Sequence, residues 1–170
     1  MRSKFLVAVP FLVLLVAAPS GAATTEVSIT PDRLGPLKIA ETTLEEAKAH
    51  LGEPTNVRHL GRGCWDGMKR LSWGPDLKIL FVRSEDHHVV QMPKVSAKDL
   101  DVAAGDRWRV STGRELQVGD SERRLLDLYP RAKSRGGRSY TLIVKDGYKY
   151  LSARLDQADR VAWISAAESC

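Results

Sequence analysis

The stretch Ser139–Asp156 reads SYTLIVKDGYKYLSARLD, and it predicts a β-hairpin. Asp146-Gly147 separates two runs in which apolar and polar residues alternate. Asp-Gly is favoured in two-residue hairpin turns because both central positions of a type I′ turn need positive φ. An earlier stretch, Arg70–Asp86, reads RLSWGPDLKILFVRSED and carries Pro75-Asp76 at the corresponding place. We therefore expect the same hairpin twice in one chain.

A short helix is expected before each hairpin. Thr43 and Glu46 fit a capping box at the start of the first helix, and Gly52 and Pro54 end it. The run Gly119–Pro130 repeats the order of cap, apolar face and stop, with Asp120 or Ser121 as the capping residue. Each half then continues with three short strands.

The fold class that this order predicts is α+β. Two tandem helix-plus-antiparallel-meander repeats would form a sheet with the helices on one face. Residues 24–105 hold the first repeat with a lead-in and a linker, and residues 106–170 hold the second. A chance likeness between two unrelated helix–meander units is the alternative.

The first 23 residues have the pattern of a secretory signal peptide. Arg2 and Lys4 form a basic start, Phe5–Ala18 is apolar, and Ser20–Ala23 offers small residues for cleavage. The apolar run is shorter than the roughly 20 residues that a membrane-spanning helix needs. We therefore expect a secreted or extracytoplasmic protein with no membrane span after cleavage; a retained anchor is the alternative.

The chain contains two cysteines, Cys64 and Cys170. An exported chain meets an oxidising compartment, so an even count favours a disulfide between them. The alternative is two free or intermolecular thiols. The net charge of +5 falls to about +3 once the basic start of the signal is removed. A balance this small, with dispersed basic residues, argues against a nucleic-acid partner.

The alternation of side chains assigns the faces of the hairpins if each turn has two residues. Ile143 then pairs with Tyr150, and Leu142 with Leu151. The face expected under the helices carries Tyr140, Leu142, Val144, Leu151, Ala153 and Leu155 in the second hairpin, and Leu71, Trp73, Leu80 and Val82 in the first. The residues expected on an open face, as a protein-binding surface, are Leu77, Ile79, Phe81, Tyr148 and Tyr150. Exposed aromatic and apolar patches are typical of such surfaces, and cover by loops or by the N-terminal segment is the alternative.

The helix segments Gly119–Pro130 and Thr43–Pro54 resemble the helix signature of the β-lactamase inhibitory protein-like and SmpA/OmlA-like superfamily, and the chain is similar to secreted bacterial members of it. The resemblance runs from about Gly35 to Cys170. It implies two repeats, each a helical segment and an antiparallel sheet, with an aromatic-rich face that grips a partner. The inhibitor has a disulfide inside each repeat, whereas this chain has one possible pair, and the inhibitor's contact residues have no match here. Neither lactamase inhibition nor a lipid-anchored assembly role is therefore implied.

No arrangement of residues in the sequence indicates catalysis, a cofactor or a metal. His87-His88 are adjacent on an extended segment, so their side chains point to opposite faces and do not converge on an ion. The basic run Arg131–Arg135 with Arg138 is expected to be a solvated loop, with an anionic partner as the alternative. The sequence thus predicts a non-enzymatic module that binds a protein; a small ligand-binding or hydrolytic envelope protein, or an envelope-assembly protein, is the alternative.

Overall fold

The computed structural model describes residues 23–61, 65–102 and 106–168. These residues are mostly β-structure with two short helices, α1 (Leu44–Leu51) and α2 (Glu122–Leu128). In chain order the strands are β1 (Thr24–Thr30), β2 (Arg33–Leu34), β3 (Leu37–Lys38), β4 (Asn56–His59), β5 (Lys69–Trp73), β6 (Leu77–Ser84), β7 (His87–Val95), β8 (Asp99–Asp101), β9 (Arg107–Thr112), β10 (Lys133–Ser134), β11 (Ser139–Lys145), β12 (Lys149–Leu155) and β13 (Val161–Glu168). The predicted α+β class is confirmed.

Both helices begin where the sequence predicts. The Thr43 hydroxyl accepts a hydrogen bond from the Glu46 amide at 3.3 Å, and the Glu46 carboxylate accepts one from the Thr43 amide at 2.8 Å. This reciprocal pair is the predicted capping box, and Gly52 ends the helix. In α2 the Ser121 hydroxyl caps the helix by accepting from the Arg124 amide at 3.2 Å.

The larger sheet has eight strands in the order β10-β11-β12-β13-β7-β6-β5-β4. All its neighbouring strands are antiparallel. Four strands that follow α2 form one half, and four strands that follow α1 form the other. The halves meet where β13 pairs with β7, through Ile164 opposite Val95 and Ser165 opposite Lys94.

A second sheet was not predicted. It has five strands in the order β3-β2-β1-β9-β8, and β1 runs parallel to β9. The expectation of a single sheet is therefore wrong, because the N-terminal strand pairs with a segment about 80 positions away that no local pattern identifies. Pro93 and Val95, expected in a connection between the halves, lie instead in β7.

One hydrophobic core joins the helices to both sheets. Ala47 and Leu51 of α1 and Leu125 of α2 are buried in it. The inner face of the larger sheet, defined here as the face that joins this core, contributes Leu71, Trp73, Leu77, Ile79, Val95, Leu142, Leu151, Ala153, Leu155, Ile164 and Ala166. The opposite, outer face carries the residues considered below.

In the first hairpin, Leu71, Trp73 and Val82 are buried as expected. The faces of Leu77, Ile79 and Leu80 were assigned wrongly, because the turn has three residues and not two. Trp73 pairs with Leu77 and Leu71 with Ile79, which leaves 74–76 as the loop. A register shift of one residue turns every side chain of a strand to the other face. Leu77 and Ile79 therefore lie beside Leu71 in the core, whereas Leu80 is half-buried on the other side.

The second hairpin also has a three-residue loop, 146–148. Lys145 pairs with Lys149 and Ile143 with Leu151, so the expected pairing of Ile143 with Tyr150 was wrong. The ladder shifts between Thr141 and Ile143, at the position of a β-bulge. Leu142 and Leu151 are buried as expected, but Val144 is 57% exposed.

Two predictions fall outside the described residues. The signal peptide, except for Ala23, precedes them, and the proposed disulfide joins two cysteines, Cys64 and Cys170, that are not among them. Within the described residues, no helix is both long and apolar enough to cross a membrane.

Candidate functional site

A continuous row of polar residues crosses the outer face of the larger sheet. From β10 to β4, neighbours along the row are direct cross-strand partners: Lys133, Thr141, Ser152, Ser165, Lys94, Lys78, Ser72 and Asn56. Directly paired residues point to the same side of a sheet. The row therefore lies opposite the apolar residues of the core, and it gives the outer face its polar, basic character.

Lys94 is at the centre of this row. Its ammonium nitrogen is 4.4 Å from the ring centroid of Trp163, a cation–π contact, and its cross-strand partner is Lys78. Trp163 itself pairs with Arg154 on β12. Burial lowers the pKa of Lys94, and the positive charges of Lys78, Arg154 and Arg70 lower it further. We call Lys78, Lys94, Arg154 and Trp163 the basic cluster.

Aromatic and aliphatic side chains surround the basic cluster. Tyr150 precedes Ser152 by two positions on β12 and so shares the outer face, where the Arg135 guanidinium carbon is 5.5 Å from its ring centroid. Leu80 and Met92 are half-buried cross-strand partners two positions from Lys78 and Lys94. The surface therefore combines charge with apolar area.

The charges of the basic cluster are not neutralised within the described part of the chain. Lys78, Lys94 and Arg154 form no ion pair with a described residue, although nine ion pairs occur elsewhere in it. Like charges directly opposite each other on neighbouring strands destabilise a sheet by up to about 1 kcal/mol. An arrangement that opposes folding in this way is suited to attracting an anionic group.

The five residues expected to bind a protein divide into two groups. Leu77, Ile79 and Phe81 are at most 1% exposed, so their predicted place on an open face was wrong. Tyr148 is 43% exposed at the hairpin loop, and Tyr150 is half-buried on the outer face. The two tyrosines are thus the members of the predicted set that a partner can reach.

His87 and His88 begin β7 and lie beside a shallow cleft. The His88 imidazole Nε2 lies 3.0 Å from the carbonyl oxygen of Gly67, and burial lowers its pKa. Asp86 and His87 line the same shallow cleft as His88. Among the described residues, no group of three potential ligands is placed to hold a metal ion.

Sequence reasoning missed Lys78 because it assigned the wrong register to the first hairpin. Once that loop is given three residues, Lys78 moves to the outer face. The alternation along β12 by itself places Ser152 and Arg154 on the same face as Tyr150. The basic run that the sequence did indicate, Arg131–Arg135, leads into this face through Lys133 and Arg135.

The fold and the outer face define a small, mostly β, α+β protein with a basic, aromatic-bearing sheet surface. No protein-family model matches the chain, and no curated protein matches it. A solved structure similar to it is that of YjgB, a DUF4309 family protein from Bacillus subtilis. The two chains share 14% sequence identity, the match covers 80% of this chain and 84% of that one, and the TM-score is 0.45. We therefore infer the function from the chain's own residues.

Proposed function

We propose that this protein is a secreted, non-catalytic binding module whose outer face holds an acidic surface of another protein. The observation that carries the proposal is the basic cluster. Lys94 lies over Trp163, and the charges of Lys78 and Arg154 act on Lys94 without an acidic neighbour in the outer-face row. Opposite charge on a partner would replace repulsion within the sheet with attraction across an interface. The hydrolytic and envelope-assembly alternatives stay predictions.

The composition of the outer face suits a protein partner better than a fully charged polymer. Trp, Tyr, Met and Arg are enriched in the buried centres of protein interfaces. On this face Trp163, Tyr150 and Met92 accompany the charges, so a partner needs apolar groups as well as carboxylates. The expected partner surface therefore has acidic residues around an apolar centre.

We further propose that the two halves are copies of one module. Around each helix start, one valine of the larger sheet makes the same two backbone hydrogen bonds. The Val90 carbonyl accepts from the Ala40 amide and its amide donates to the Thr42 carbonyl. The Val161 carbonyl accepts from the Gly119 amide and its amide donates to the Asp120 carbonyl.

A side-chain hydrogen bond recurs at the same place. The Thr42 hydroxyl accepts from the Lys38 amide at 2.8 Å, and the Asp120 carboxylate accepts from the Gln117 amide at 2.9 Å. The first half has one more residue in this turn, since its bond spans four positions and that of the second half spans three. The shared pattern supports a duplication and is compatible with the resemblance to the β-lactamase inhibitory protein fold, which stays a prediction.

The test compares three forms of the secreted protein by chemical cross-linking in its own culture medium. Lys78→Glu/Arg154→Glu reverses two exposed charges beside Lys94, and we expect it to reduce capture of a partner at least tenfold. Arg123→Glu/Arg124→Glu makes the same change in net charge on the exposed side of α2 and should capture the partner as the wild type does. The partner's cross-linked peptides should contain Asp or Glu.

Thermal unfolding of all three forms separates binding from folding. The Lys78→Glu/Arg154→Glu variant should unfold at or above the wild-type temperature, because it places opposite charges beside Lys94. Equal capture by the two double variants would contradict the proposal, as would a partner whose cross-linked surface is basic.

A further inference from the structure

A cleft of about 660 Å³ opens in the second half, between the end of α2 and the edge of β11. Tyr129 and Arg131 line one side, Leu142 and Val144 the other, and Arg114 closes one end. β10 covers only Tyr140 and Thr141 of β11, so the strand edge beyond them faces the cleft. A volume of this size is within the range of small-molecule sites.

The corresponding place in the first half is filled. Ser72 and Thr141 occupy matching positions in the outer-face row, so Trp73 and Leu142, which follow them, correspond to each other. The Trp73 indole reaches α1 and donates to the Gly52 carbonyl at 2.9 Å. Leucine at the matching position is smaller and has no such donor, and the cleft beside α2 remains open.

The cleft has a positive rim. Arg114 is held in place, because it donates to the Leu128 carbonyl at 2.8 Å and its guanidinium lies 5.4 Å from the centroid of the Tyr129 ring. Arg131 and Lys133 are exposed, and neither forms an ion pair with a described residue. No acidic residue is among those that line the cleft.

One lining residue also has an unused hydrogen-bonding group. The hydroxyl oxygen of Thr141 is buried and has no hydrogen-bond partner in the described structure. Buried hydroxyls nearly always have a partner, and each exception calls for an explanation. The cleft thus combines apolar walls with three cations, and one of its lining residues carries a buried hydroxyl without a partner.

We propose that this cleft binds a small amphipathic anion, with its apolar body on Leu142 and Val144 and its charged group on Arg131 and Lys133. Arg131 lies in the turn that follows α2 and Lys133 begins β10, and both residues line the cleft. Free medium-chain carboxylates and aromatic sulfonates or carboxylates share this chemistry. The cleft shares no residue with the basic cluster and does not depend on the protein-binding proposal.

The test uses anilinonaphthalene sulfonate as a fluorescent aromatic anion and decanoate as a competing acyl anion. We expect the folded wild type to bind the dye and decanoate to displace it at a concentration at least tenfold below that of decanol, which has the same apolar body without the charge. Arg131→Gln/Lys133→Gln should weaken binding of both anions about tenfold. Arg123→Gln/Arg124→Gln is the matched control and should change nothing.

Leu142→Trp tests the shape of the cleft by copying the first half. It should remove dye binding while the cooperative thermal transition is retained. If this variant does not fold, dye binding by the Arg131→Gln/Lys133→Gln variant tests the proposal instead. Equal displacement by decanol and decanoate, or unchanged binding in Arg131→Gln/Lys133→Gln, would overturn the proposal. The Lys78→Glu/Arg154→Glu variant should still bind the dye, so this site and the partner site can fail separately.

Discussion

The two halves of the larger sheet follow similar paths but carry different side chains. Beside α1, Trp73 fills the space under the helix end, whereas beside α2 the matching Leu142 leaves a cleft. In the outer-face row, Lys78 and Lys94 of the first half correspond to Ser152 and Ser165 of the second. Two similar backbone paths can thus present charge in one half and a cleft in the other, through different side chains and a β-bulge beside Leu142.

Trp73→Leu should have the largest effect, because it removes a buried indole and its hydrogen bond to Gly52. We expect the free energy of unfolding to fall by about 3 kcal/mol, as for other large-to-small changes in a core. Urea denaturation measures the loss, and dye titration should reveal a second binding site in the opened space. A loss below 1 kcal/mol would contradict the view that this indole fills the first half.

Removing either helix cap should reduce the free energy of unfolding less than Trp73→Leu does, and the two caps should differ from each other. Thr43→Ala breaks a reciprocal capping box and should destabilise the protein by about 1 kcal/mol. Ser121→Ala removes one capping bond and should cost less. Urea denaturation of both variants gives the comparison; equal losses, or a larger loss at Ser121, would show that the box adds nothing.

Changes at the matched row positions should have opposite signs. Lys94→Met removes repulsion from Lys78 while keeping an unbranched side chain over Trp163, and should stabilise the protein by about 0.5 kcal/mol. Ser165→Ala loses the hydrogen bond to the Ser152 hydroxyl, 3.0 Å away, and should destabilise it. The gain from Lys94→Met should shrink in concentrated salt, which screens the charges. A gain that salt does not change would point to packing instead of charge.

The smallest effect concerns an ion pair that links the smaller sheet to the second hairpin. Asp32 accepts a hydrogen bond from the Lys145 ammonium at 2.6 Å, and this contact lowers the pKa of Asp32. A carboxylate with a lowered folded-state pKa stabilises the fold above its ordinary pKa, and that contribution is lost as the pH falls through the folded-state value. The stability difference between wild type and Asp32→Asn should therefore be constant near pH 7 and shrink as the pH falls below the ordinary pKa of a carboxyl group. A difference that persists in acid would mean that Lys145 does not stabilise the charged form.

Local features of the fold could be predicted from the sequence, and nonlocal ones could not. The capping box at Thr43 depends on residues three positions apart, so the start of the helix could be predicted from the sequence. The loops at 74–76 and 146–148 are each one residue longer than a two-residue turn, and no local signal in the sequence distinguishes the two lengths. In the first hairpin this one-residue error placed Leu77 and Ile79 on the wrong face. The pairing of β1 with β9 depends on tertiary packing alone.

The sequence predicted the kind of binding surface better than it predicted which residues form it. An open sheet face with aromatic residues was expected, and Tyr150 lies on it. The basic cluster required the observed register, since Lys94 and Trp163 come together only when β13 pairs with β7. The cleft beside Leu142 required a comparison between the halves in three dimensions.

The most direct test of the outer face as a binding surface is the dissociation constant of the captured partner, measured by calorimetry at low and high salt. For Lys78→Glu/Arg154→Glu we expect binding at least tenfold weaker than for wild type, and for wild type a clear loss of affinity as salt rises. Equal affinity for wild type and this variant, with no dependence on salt, would contradict the proposal that the basic cluster holds an acidic partner.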